Sequence, residues 1–194
     1  ETKYRGNFRL NQPVSYMVVG EQFKFKALQV GAREVDRKSD YIEWDSSDSD
    51  IAKVDDGKVT ARSKGTVTIT GSYDGRADSC EVTVAELDTN NNVVINMSHQ
   101  SAEFSLNNPV TVNFELTGDL PDEYTIMWYN LGDLSPDGTM LINCEWGEWN
   151  GNKTSLTLSA YNAKEVEGNL ILVVYPTNDN QTVLAKVTLP IKAN

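Results

Sequence analysis

Reactive side chains are scarce in this chain of 194 residues. There is one histidine, His99, and there are two cysteines, Cys80 and Cys144. A hydrolytic triad needs a nucleophile, a base and an orienting group in contact. The one base candidate is flanked by Ser98, Gln100 and Ser101, and serine is common here, so His99 reads as a surface residue and no catalytic residue is assigned. Arginine is absent from residues 87–194, which carry four lysines against 13 Asp and Glu. A nucleic-acid groove needs clustered cations to displace counterions, so that role is excluded. No apolar run approaches the ~20 residues that span a bilayer, so no membrane insertion is expected. Apolar stretches with helical spacing are also nearly missing.

What remains alternates. Val110, Val112, Phe114 and Leu116 face one way, while Thr111, Asn113 and Glu115 face the other. Phe23, Phe25 and Ala27 alternate with Lys24 and Lys26 in the same manner. Period two with frequent Thr, Val and Tyr predicts strands, and Asp56-Gly57 and Asp74-Gly75 between such runs predict tight hairpins. Further turns are expected at 135–138 and 178–180, and a charged loop at 31–40. The fold class is therefore all-β, with seven or eight short strands on either side of the polar run at 88–92. The length suits two domains, 1–87 with an N-terminal lead-in and 88–194, with the boundary between Glu86 and Val93.

The stretch around Trp44 carries the strongest pattern. Ile42 and Trp44 share a face, Ser46-Ser47-Asp48 follows as turn chemistry, and Ile51-Ala52-x-Val54 resumes pairing. Gly57-x-Val59-x-Ala61, Gly65-Thr66-x-Thr68-Ile69 and Cys80-Glu81-Val82-Thr83-Val84 complete it, with Val19-Gly20-Glu21 upstream. In this order the segments resemble the bacterial immunoglobulin-like domain of group 2, found in invasin- and intimin-type surface proteins. The resemblance spans about residues 13–86. It implies a β-sandwich and a non-catalytic extracellular module. In the second half, Trp146-Gly147-x-Trp149-x-Gly151, Leu156-x-Leu158 and Gly168-x-Leu170-x-Leu172 are similar to Ig-like modules of secreted and surface proteins from Gram-positive anaerobes. Those modules usually place Gly where Ala160 stands here, and the turn at 162–167 is long. The two resemblances together imply tandem immunoglobulin-like β-sandwich domains.

Trp44 is expected in the core. Trp146, in step with Met140, Ile142 and Cys144, is expected to be buried, whereas Trp149 lies beyond Gly147 and is expected at the surface. Trp149 with Glu148 and Asn150 forms the candidate ligand-binding group, since an aromatic face beside polar side chains can stack on a sugar ring. Cys80 and Cys144 each fall on the apolar side of a strand in separate domains, which predicts two buried thiols and no disulfide. Asp45, Asp48, Asp50, Asp55 and Asp56 lack the spacing of a calcium loop and read as solvated turns. No metal and no cofactor are expected. The triplets at Asn96, Asn152 and Asn180 match a glycosylation acceptor, which a bacterial source makes a composition accident. The expected role is a non-enzymatic stalk or adhesion segment at the bacterial cell surface or outside the cell, a monomeric piece of a longer chain, with an unknown protein or glycan as ligand. The alternatives are a carbohydrate-binding accessory of a larger extracellular enzyme and a decoration domain of a phage virion.

Overall fold

The computed structural model describes residues 7–10, 15–30, 42–73, 75–131, 142–161 and 165–194. The loop expected at 31–40, the turn at 135–138 and the start of the turn at 162–167 lie outside the described residues, as do Tyr41, Asp74 and Met140. The chain divides into two compact units, one ending at Glu86 and the other beginning at Leu87. Every regular element among the described residues is a strand.

The first unit contains β1 (Asn7–Leu10), β2 (Tyr16–Val18), β3 (Gln22–Lys24), β4 (Ala27–Val30), β5 (Glu43–Ser46), β6 (Ala52–Asp55), β7 (Lys58–Ala61), β8 (Gly65–Tyr73) and β9 (Arg76–Leu87). One sheet runs β2–β9–β8–β5 and a second runs β3–β7–β6, while β1 pairs with β4. β2 lies parallel to β9, with Tyr16 opposite Thr83 and Val18 opposite Ala85. The other pairs are antiparallel. Alternation explains the core: Val67 and Ile69 of β8, Cys80, Val82 and Val84 of β9, and Val59 and Ala61 of β7 are all buried. The β6–β7 turn has Asp56 and Gly57 at φ 47° and 74°, the two successive positive values of a primed hairpin turn. The expected continuous strand 23–27 is interrupted after Lys24. Phe25 instead donates its N–H to the Gly57 carbonyl at 2.8 Å, which draws the chain toward that turn.

The second unit contains β10 (Val94–Met97), β11 (Ala102–Phe104), β12 (Val110–Thr117), β13 (Tyr124–Asn130), β14 (Ile142–Trp146), β15 (Lys153–Ala160), β16 (Val166–Pro176), β17 (Thr182–Val183) and β18 (Ala185–Ala193). Its sheets are β10–β12–β15–β14 and β11–β18–β16–β13. Phe104, Val112, Phe114, Leu116, Leu156, Leu158, Leu170, Leu172 and Leu189 interdigitate between them in one core cluster. Each such side chain contributes about 1.5–3 kcal/mol by leaving water. The opening strand β10 joins the first of these sheets, and the second holds a parallel pair, β11 beside β18, with Ala102 opposite Ile191.

The polar run at 88–92 is built into the second unit rather than left loose. Asp88 donates its N–H to the Val183 carbonyl at 2.8 Å and accepts from the Asn90 N–H at 2.8 Å. The Asn91 side chain accepts from the Val93 N–H and donates to the Asp88 carbonyl. Asn92 and Asp119 exchange two bonds, Nδ2 to Oδ2 at 2.8 Å and Asp119 N–H to Oδ1 at 2.7 Å. The pairing of four strands against three in the first unit and four against four in the second, with an early strand parallel to the last in each, is the immunoglobulin-type sandwich.

Candidate functional site

Trp149 owes its position to an interruption in an edge pairing. β14 pairs with β15 down to Trp146 opposite Leu156, and Gly147 continues by donating its N–H to the Ser155 carbonyl at 2.9 Å. Pairing resumes at the bridge between Asn150 and Lys153. Two residues, Glu148 and Trp149, therefore oppose Thr154 alone. Such a bulge turns a side chain away from the pleat. Gly147 suits it because a Cβ there would collide with Ser155 Oγ. Thr154 holds it: its hydroxyl donates to the Gly147 carbonyl at 3.1 Å, and the residue is buried, 6% exposed. The Trp149 ring is 46% exposed and meets the ring of Tyr124, from the start of β13, edge to face at 6.4 Å and 78°. Glu148 and Asn150 are exposed on either side of it.

Trp146 departs from expectation. It does lie on the inward side, with Ile142 and Cys144, and packs against Phe114 with ring centroids 6.0 Å apart. Yet it is 37% exposed. β14 is the edge strand of its sheet and Trp146 is its last residue, so the sandwich covers only one flank of the indole. Cys144, also expected to be buried, is half-buried for the same reason. Tyr124 and Thr154 were not singled out by the sequence. Thr154 left a signal, a polar residue in step with the inward Leu156, Leu158 and Ala160. Tyr124 left none, because its contact with Trp149 joins the two sheets.

The remaining candidates resolve into structure. The Trp44 indole crosses from β5 to the other sheet of its unit, lying over Phe25 at 6.2 Å between Gly71, its cross-strand partner, and Gly57. A Cβ on either glycine would stand 3.0 Å from the ring. Trp44, expected in the core, is half-buried on an edge strand, and its Nε1 is buried with no hydrogen-bond partner among the described residues. Asp48 caps its own turn by accepting from the Asp50 N–H at 2.9 Å, while Asp56 pairs with Lys24 at 3.0 Å. No cluster of three or more metal-binding side chains occurs among the described residues. His99 Nδ1 lies 2.8 Å from Ser98 Oγ, but that oxygen also accepts from the Asn113 N–H, and the pair is exposed. Burial pushes the Cys80 thiol up to about 11, reinforced by Asp78 and Glu81, and pushes Cys144 up to about 12.

Residues 8–84 match the family model of the bacterial Ig-like domain, group 2. The first unit is a member of that family. The match covers under half of the chain and leaves the second unit to its own topology. The chain matches no curated protein. Among solved structures it is similar to domains 4 and 5 of the S-layer protein SbsC, at 13% identity over 96% of this chain and 97% of that one, with a TM-score of 0.36. A tandem of titin Ig domains aligns at 9% identity over 97% of this chain and 98% of that one, TM-score 0.32. Against the larger S-layer protein rSbsC, at 12% identity and TM-score 0.35, 97% of this chain is covered but it spans only 28% of the other.

Proposed function

We propose that this chain is a load-carrying spacer in a bacterial surface or secreted protein, a pair of Ig-like modules without catalytic activity of their own. The observation that carries the reading is the parallel pairing of an early strand with the last strand in both units. β2 beside β9 and β11 beside β18 run in the same direction. Each unit is thus entered at one end of its sandwich and left at the other. Tension along the chain shears these pairs, so their hydrogen bonds must yield together rather than one after another. In the first unit Val19 N–H donates to the Ala85 carbonyl at 2.8 Å and Thr83 N–H to the Ser15 carbonyl at 3.0 Å. In the second, Asn194 N–H donates to the Phe104 carbonyl at 2.9 Å.

The group 2 Ig-like family of the first unit supports the bacterial, extracellular setting. Antibodies raised against the chain test it on the source cells. The reading expects intact, unpermeabilised cells or their culture medium to carry the antigen. Detection only after permeabilisation would refute it.

A further inference from the structure

We infer that the Trp149 bulge is a docking point for a lysine- or arginine-bearing segment of a partner protein. A spacer needs no indole in solvent, and this one is held there by Thr154, Gly147 and the edge of the Tyr124 ring. The face of an indole carries negative π density and is the strongest aromatic partner for a cation. The surroundings have the same sign. Glu148 adjoins Trp149 and Glu145 precedes it on the same strand end. The ring contact with Tyr124 brings in Asp122 and Glu123 from the approach to β13, and all four carboxylates are exposed. Among the described residues of 118–124 and 142–154 the one cation is Lys153, and Glu115 neutralises it at 3.4 Å.

Charge complementarity therefore favours a basic partner over a neutral one. A sugar would need polar groups fixed around the ring by hydrogen bonds of their own. Asn143 Nδ2 donates to Glu145 Oε1 at 3.0 Å, but no hydrogen bond fixes the carboxylates of the other three, Asp122, Glu123 and Glu148, among the described residues. Mobile acids suit the diffuse attraction of a cationic chain, and Trp149 supplies the one directional contact.

The test is calorimetric titration of the whole chain with a hexa-arginine peptide and, separately, with an N-acetylglucosamine hexamer. Ionic strengths of about 10 mM and about 150 mM bracket screening lengths of ~30 and ~8 Å. Hexa-arginine is expected to bind at the lower salt and to weaken about tenfold or more at the higher. Trp149→Ala is expected to weaken it about fivefold, and Glu148→Gln to weaken it in the same direction without touching the aromatic pair. Asp48→Asn, on an exposed acidic turn of the first unit, is the control and is expected to bind as the parent does. Equal binding by Trp149→Ala and the parent would reduce the interaction to net charge and overturn the proposal. So would failure of hexa-arginine to bind at low salt, or salt-independent binding of the sugar hexamer that Trp149→Ala abolishes. None of these outcomes bears on the spacer reading, which rests on the terminal strands.

Discussion

Trp44 shows how much one residue can organise. Its indole fits because the residue opposite it in β8 is Gly71 and the one above it in the β6–β7 turn is Gly57. Trp44→Ala empties that slot and is expected to cost about 3 kcal/mol, the low end of the range for aromatic truncation because one flank already meets water. Gly71→Ala overfills it, with a methyl 3.0 Å from both the indole and Leu10 Cδ2, and is expected to cost about 1–3 kcal/mol. Urea midpoints of both variants check this, and an unchanged midpoint in either would remove the slot from the account. The two thiols make a second residue-scale case. With pKa values raised to about 11 and about 12, both stay protonated at pH 8. Because the folded values exceed the ordinary value of 9.0, the folded state holds its protons longer than the unfolded one. The thiols therefore favour folding below pH 9, and that contribution is lost as pH rises toward 11 and 12. Native protein at pH 8 is expected to react slowly with a thiol reagent at both positions and rapidly once unfolded.

At the scale of elements, alternation told more than it could about position in a sheet. Val110 to Leu116 and Lys153 to Ala160 have the faces their sequences dictate, and the Asp56-Gly57 turn is where a hairpin required positive φ. Trp146 was legible as inward-facing but not as exposed, because periodicity gives the face of a strand and says nothing of whether that strand lies at an edge. The parallel pairs, β2 with β9 and β11 with β18, join residues about 67 and 89 positions apart in register, and no local signal announces such pairings. The exposure of Trp149 was readable from Gly147. Its bracing was not, since Tyr124 comes from the opposite sheet. Thr154 offers the element-scale test. Thr154→Val keeps the shape but leaves the Gly147 carbonyl without its donor, at an expected cost of about 1–3 kcal/mol. Denaturation should register that loss, and Trp149 fluorescence anisotropy should fall as the bulge loosens. Unaltered anisotropy would mean that the hydroxyl does not hold the indole.

At the scale of the whole molecule, acidity and mechanics answer different needs. The formal charge of −11 keeps the chain soluble and repels anionic surfaces. In the proposed spacer, resistance to tension comes from the backbone pairing of the terminal strands, β2 with β9 and β11 with β18. Both units of that spacer resist tension because an early strand and the last strand lie parallel in each. Single-molecule stretching of the whole chain through its two ends tests it most directly. Two discrete unfolding events are expected. Val19→Pro, which deletes the N–H bound to the Ala85 carbonyl, should lower the force of one event and leave the other as it was. Smooth extension without discrete events, or two events whose forces Val19→Pro leaves unchanged, would contradict it.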